Sequence, residues 1–300
     1  MAGVLTDKAI LVTGASTGIG RATALRAAQE GARVMVADVN TVEGPNTVAA
    51  INEAGGKAVF IETDVTQSDQ VRAAIAATVE HFGSLDGAFN NAGIEGVFTN
   101  ITRLSEEDYD RTMAVNAKGV WLCVKYEIEQ MLQSGGGSIV STASVAGIAG
   151  TRGASAYAAS KHAVVGITKT AALEMATRGI RVNCVCPGVI ETPMVERLRG
   201  ETGLDTSSLI AMQPIGRTGD PREIGEAVVW LLSDQSSFVT GVAMPVDGGY
   251  VAQQIENSNV ITQHRRTNAR QATGTRPEHR HERTTANESR ESRPCLCDSK

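Results

Sequence analysis

Short apolar runs alternate with longer segments of helical period along the first 250 residues. Ala9–Thr13 (AILVT) is an apolar, β-prone run of the kind that forms a buried parallel strand. Comparable runs follow at 32–38 (ARVMVAD), 57–65 (KAVFIETDV), 85–93 (LDGAFNNAG), 137–144 (GSIVSTAS), 180–188 (IRVNCVCPG) and 241–249 (GVAMPVDGG). Between them the period changes to helical after residue 20, over 43–54, 68–82, 105–133, from near Tyr157 to about 178, and over 221–233. Pro45 is compatible with its helix because it falls in the first turn. Residues 189–220 carry no sustained period. They hold scattered apolar positions (Met194, Leu198, Leu204, Leu209, Met212) bracketed by Pro193 and Pro214, which predicts a lid over 189–213. Strand alternating with helix throughout predicts an α/β fold with one doubly wound sheet of about seven parallel strands, covered by helices on both faces.

Beyond Ala252 the pattern stops. Residues 253–300 are polar, with nine basic and six acidic side chains and few apolar ones, and cannot bury enough apolar surface to offset chain entropy. The reading is therefore a folded domain over 1–252 and a disordered tail over 253–300. His264, His279, His281, Cys295 and Cys297 fall in that tail at spacings that match no zinc pattern, so no metal site is expected.

Composition narrows the function classes. Apolar content of 42% supports a sizeable core, and 31 glycines with 4% aromatics suit tightly packed α/β layers. A net charge of −5 gives no general attraction to nucleic acid or an anionic membrane. No apolar run is long enough to span a bilayer, and the first strand begins at residue 9, leaving no room for a secretion signal. Five cysteines without a disulfide framework fit a cytoplasmic protein with free thiols, Cys184 and Cys186 being read as core thiols.

Two stretches carry chemistry. GASTGIG, Gly14 to Gly20, joins the first strand to the first helix. There Gly14 permits a sharp turn, Gly18 lets the backbone approach a pyrophosphate, and Gly20 lets helix and strand pack closely, while free helix N–H groups face the anion. The spacing is GxxxGxG rather than GxGxxG, and a lone glycine pattern is often only a turn; its setting between strand and helix is what points to a dinucleotide. Asp38 ends the second strand, where a carboxylate accepts from the adenosine ribose hydroxyls and repels a 2′-phosphate. Neither Ser16, Thr17 nor Val39 supplies a compensating cation, so NAD is expected over NADP. The second stretch leads from Ser144 to YAASK, 157–161, and places Tyr157 and Lys161 four apart on one helix face. A phenol with a pKa of about 10 is a poor base until a nearby ammonium favours the phenolate.

Taken in order, TGASTGIG (13–20), Asp38, Asp64-Val65, NNAG (90–93), Asn116, Ser144, YAASK and PGVIETPM (187–194) make the chain resemble a short-chain dehydrogenase/reductase over residues 4–252. The resemblance is nearest to bacterial members acting on cyclic alcohols and diols. It implies a Rossmann-type sheet and an oxidoreductase that moves a hydride between NAD(H) and a secondary alcohol or ketone. Tyr157 would be the general acid/base, Lys161 would lower its pKa and bond the nicotinamide ribose, Ser144 would orient the substrate oxygen, and Asn116 would anchor a proton relay. Cofactor contacts would come from Gly14, Ser16, Gly18, Ile19, Gly20, Asp38, Asp64, Val65, Asn91, Ala92, Gly93, Tyr157, Lys161, Pro187, Gly188, Ile190 and Thr192. A homotetramer joined through the helices at 105–133 and 155–178 is implied as well. The small, apolar surfaces at 94–98, 145–150 and 189–213 favour a neutral cyclic or aromatic substrate. The alternatives are an NADP-dependent 3-oxoacyl-carrier reductase and a non-catalytic NAD-binding regulator, although a regulator would need none of the four catalytic side chains. Enoyl reductases of this superfamily space tyrosine and lysine further apart. The tail departs from the family.

Overall fold

The computed structural model describes residues 3–203 and 205–253. The tail expected over 253–300 lies outside the described residues apart from Gln253, and Leu204 of the lid lies outside them too. Seven strands form one sheet: β1 (Ala9–Thr13), β2 (Arg33–Asp38), β3 (Lys57–Glu62), β4 (Gly87–Asn90), β5 (Gly137–Thr142), β6 (Ile180–Pro187) and β7 (Ala243–Val246). The spatial order is β3-β2-β1-β4-β5-β6-β7 and every pair is parallel. The fold class read from the alternation of elements is the one observed.

Both faces of the sheet are covered, which is why its strands read as unbroken apolar runs. One face carries α1 (Gly18–Gln29), α2 (Glu43–Glu53) and α9 (Pro221–Leu232), packed on Ile10, Val12, Val34, Val36, Phe89 and Val140. The other carries α3 (Ser68–Phe82), α5 (Val120–Ser134) and α6 (Ser155–Met175), packed on Leu11, Met35, Ala88, Ile139 and Cys184. Each fully buried side chain of this size contributes about 1.5–3 kcal/mol relative to exposure. Cys184 and Cys186 are buried free thiols, in keeping with their reading as core.

Two departures from the expected elements bear on the site. The helix expected over 105–133 is α4 (Glu106–Met113), then a π-helical turn over Ala114–Gly119, then α5. The apolar period passes through the turn without a break, so nothing in the pattern marks it. The segment read as irregular over 189–220 contains α7 (Pro193–Thr202) and α8 (Thr206–Ala211). Each starts on a capping side chain: Thr192 Oγ1 accepts from Val195 N at 3.4 Å and Asp205 Oδ1 from Ser208 N at 2.7 Å. Both helices are too short for periodicity to reveal, although the Thr-Pro start of α7 is a legible signal.

Strand order reverses between β1 and β4, and in open parallel sheets the crevice at the C-terminal ends of such strands is where ligands bind. Gly14 follows β1 and Asn91, Ala92 and Gly93 follow β4 at those ends. No helix among the described residues is long and apolar enough to cross a membrane.

Candidate active site

A cavity of about 420 Å³ opens above that reversal point. Its wall includes Gly14, Gly18, Ile19, Asp38, Asp64, Val65, Asn91, Ala92, Gly93, Ser144, Tyr157, Lys161, Pro187, Gly188, Ile190 and Thr192. Three other expected residues stand behind the wall. Ser16 is buried against Asp38, Gly20 lies inside the contact between α1 and β1, and Asn116 is fully shielded behind Ile94.

The glycine loop is shaped by backbone needs that side chains would block. Gly14 and Gly18 take φ values of 63° and 53°, in the left-handed region. A Cβ on Gly20 would lie 2.0 Å from the Gly14 carbonyl oxygen. Asn91 Nδ2 donates to that same oxygen at 3.0 Å, tying the loop to the end of β4. Thr13, not singled out beforehand, supports this join: its Oγ1 accepts from Asn91 N at 3.1 Å and Ala92 N at 3.3 Å. The N-cap of α1, Thr17, makes no side-chain capping bond, so the first-turn N–H groups face the cavity unsatisfied by a cap. An uncapped helix N-terminus beside a glycine turn fits an anionic pyrophosphate. Asp38 lies at the far end, where Oδ2 accepts from Ser16 N and Oδ1 from Asn40 N, both at 2.9 Å. Each carboxylate oxygen keeps a second lone pair for a ribose hydroxyl. The donor set therefore fits a nicotinamide dinucleotide.

At the reactive end, Ser144 and Lys161 are buried and Tyr157 is half-buried. Burial raises the Tyr157 phenol, hydrogen bonding with Ser144 lowers it, and the Glu95 carboxylate raises it; the net direction is up. Lowering by Lys161, expected from the resemblance, does not operate in this conformation. The ammonium sits 5.6 Å from the centre of the tyrosine ring and donates to the Thr142 carbonyl at 2.8 Å. Burial pushes Lys161 itself down to about 8, an effect the nearby Cys186 and Cys184 oppose.

Asn116 satisfies backbone groups. Its Oδ1 accepts from Ile94 N and its Nδ2 donates to Ile94 O, each at 2.8 Å, with a further bond to Ser160 Oγ at 3.3 Å. The π-helical turn thereby holds the chain that leaves the NNAG strand end. Across the cavity mouth, Arg197 of α7 donates through Nε to Glu95 Oε1 at 2.7 Å and through Nη2 to Oε2 at 3.2 Å. Burial raises the Glu95 carboxyl, but the Arg197 pair, a backbone hydrogen bond and the charge of Arg111 together outweigh it and hold the group below the ordinary value. Neither residue was singled out from the sequence, because the two are 102 positions apart. Of the surfaces expected to meet substrate, Ile94 and several lid residues line the cavity. The 145–150 segment does not: Gly147 packs so closely on α6 that a Cβ would be 2.6 Å from Lys161 O.

The geometry agrees with what the chain is similar to. Residues 14–251 match the family model described as enoyl-(acyl carrier protein) reductase. Over 250 residues the chain is 45% identical to a 2,5-dichloro-2,5-cyclohexadiene-1,4-diol dehydrogenase of Sphingobium indicum, covering 83% of this chain and 98% of that protein. It is 42% identical over 253 residues to a cyclohexanol dehydrogenase of Acinetobacter sp., covering 84% and 98%. The crystal structure of levodione reductase superposes with a TM-score of 0.81 at 39% identity, covering 83% of this chain and 99% of that one. With the ordered motifs, the seven-stranded parallel sheet and these relatives in hand, the chain belongs to the short-chain dehydrogenase/reductase family and is an oxidoreductase.

Proposed function

We propose that the protein is an NAD-dependent dehydrogenase of neutral, cyclic secondary alcohols or diols, or the reductase of the corresponding ketones. The observation that carries this reading is one cavity lined by Asp38 at one end and by Ser144, Tyr157 and Lys161 at the other. The cations on its wall are Lys161, held by Thr142 O, and Arg197, engaged by Glu95. That supports an uncharged substrate over a phosphorylated or carrier-linked one. The names of the relatives support the same class.

In this reading a bound nicotinamide would supply the hydride acceptor for the alcohol carbon, or the hydride donor for the ketone. Ser144 donates to the substrate oxygen and fixes it against Tyr157. Tyr157 takes the hydroxyl proton in oxidation and returns it in reduction. Lys161 binds the ribose and, turned toward the phenol, favours the phenolate. A π-helical turn departs from the i→i−4 ladder. A carbonyl released near Asn116 is the anchor this reading gives to relay water. The Arg197–Glu95 pair holds α7 over the cavity mouth and limits water entry.

Asp38 sets the cofactor preference in this account. Replacing it by alanine, with Val39→Arg, moves the ratio of NAD to NADP turnover toward NADP by about tenfold or more, the equivalent of about 1.4 kcal/mol. An unchanged ratio would remove Asp38 from cofactor selection and revive a carrier-type, NADP-using reductase.

A homotetramer is part of the proposal. The α5–α6 surface bears a groove lined by Trp121, Val124, Ile128, Ile167 and Met175, with Leu173 largely exposed beside it on α6. Exposed apolar surface of this kind suits subunit association. Sedimentation at micromolar concentration is expected to give four times the 31.5 kDa chain mass; a monomer would contradict it. Free thiols among the described residues suit a cytoplasmic setting.

A further inference from the structure

One acid lies where the packing provides no cation for it. Glu127 is fully shielded from solvent on the sheet-facing side of α5. Its stripe is otherwise apolar: Val120, Cys123, Val124 and Met131 are the buried neighbours along the same helix. Asn90, at the end of β4, donates through Nδ2 to Glu127 Oε2 at 2.9 Å. The two remaining oxygens of this contact, Glu127 Oε1 and Asn90 Oδ1, are both buried and without a partner. Ser141, in register with Asn90 on the next strand, does not supply the missing donor, since its own hydroxyl is also unpartnered.

Two buried acceptors cannot satisfy one another, and an ionised carboxylate holding a single bond in an apolar setting is costly. A carboxylic acid facing a carboxamide resolves both deficits. The amide N–H donates to one carboxyl oxygen, and the carboxyl O–H donates back to the amide oxygen. We propose that Glu127 is kept as a neutral carboxylic acid, paired with Asn90 through two reciprocal hydrogen bonds, and that this pair positions the cofactor-lining turn that follows β4. The turn begins one residue later. Asn91 bonds Thr13 and Gly14 O, and Ala92 and Gly93 line the cavity. Glu127 is thus a positioning residue.

The surroundings agree. Burial raises the carboxyl to about 8, with the Asn90 bond the one opposing influence. Cys123, one turn earlier on α5, is a buried thiol pushed up by burial. The other elements on this face bring Ser141 of β5, Cys184 of β6, Thr168 and Lys161 of α6, and Val71, Ala74, Ile75 and Thr78 of α3. Of these, Lys161 is the one cation, and it acts on Cys184 and Cys186 rather than on Glu127.

Glu127→Gln is the decisive variant, because glutamine can make both bonds without an ionisable proton. At about pH 6 the wild-type protein is expected to show the infrared carbonyl band of a buried carboxylic acid, lost as the pH passes through the raised pKa and absent from E127Q. The folded chain holds a proton that the unfolded chain releases. Wild-type stability relative to E127Q therefore falls as pH rises from the ordinary carboxylate range to about 8, and levels off above it. NADH affinity of the wild type falls severalfold across the same transition, while that of E127Q stays flat. This last arm alone rests on the proposed function. No acid band in the wild type, or pH–stability curves that superpose, would overturn the neutral acid. A band and a stability difference without any NADH effect would overturn the positioning role. Should E127Q fail to fold, the wild-type infrared titration still decides the protonation state.

Discussion

Tyr157→Phe is expected to lower turnover by about 10²–10⁴-fold while leaving NADH affinity nearly unchanged, because it removes the proton carrier and little else. The ring would keep its place: Tyr157 sits on α6, four residues before Lys161, with Ser160 Oγ bonded to its carbonyl at 2.7 Å. The hydroxyl alone is lost. The size of the effect depends on how the phenol is tuned. In this conformation burial holds it above its ordinary value and the Ser144 hydroxyl offsets part of that. Lys161 spends one N–H on Thr142 O and is itself pushed down to about 8 by burial. In the proposed mechanism the Lys161 ammonium favours the phenolate. Initial rates of alcohol oxidation alongside NADH titration check this. Equal loss of both rate and NADH affinity would mean that Tyr157 serves cofactor binding rather than proton transfer.

Gly20→Ala is expected to have the next largest effect. Its Cβ would stand 2.0 Å from Gly14 O and 2.6 Å from Asn91 Nδ2, inside the hydrogen bond that joins the glycine loop to the end of β4. Neither neighbour is the free end of a flexible chain that could move aside. The loop must shift, at an overpacking cost of about 1–3 kcal/mol, and the N–H groups at the start of α1 move with it. NADH affinity should fall by about tenfold or more, as a loss of about 1.4 kcal/mol of binding free energy requires. Calorimetric titration of the folded variant checks this; an unchanged dissociation constant would show that the loop does not hold the cofactor. Gly55 and Gly83 are useful contrasts, since an added Cβ there meets nothing within 4 Å, though φ is positive at both.

Much of this architecture was legible because the inner parallel strands β1, β4, β5 and β6 are buried on both faces and so read as apolar runs. Ile10 packs on one face and Leu11 on the other. Most of the candidate site was legible for a related reason: Gly14, Asp38, Asn91 and Ser144 fall at or just after strand ends, where composition changes sharply. What escaped reading depended on contacts distant in sequence or on hydrogen bonds with no side-chain signature. The π-helical turn at 114–119 keeps the apolar period on both sides. Asn116 shows its use only once Ile94 is beside it. Arg197 and Glu95 meet only when the lid is folded back. Glu127 did leave a trace, since helical spacing from Cys123 and Met131 puts an acid in a core position, and an acid there needs either a partner or a proton.

The proposed reaction transfers a hydride from a cyclic secondary alcohol to NAD. The measurement that tests it most directly uses cyclohexanol deuterated at the carbinol carbon, with NAD, and follows the label by mass spectrometry of the reduced cofactor. The account predicts deuterium in the reduced nicotinamide with the wild-type enzyme, formed at a slower rate than with unlabelled alcohol and nearly absent with Tyr157→Phe. Reduced cofactor without label, or no reduction with any cyclic alcohol while NADH still binds, would contradict it.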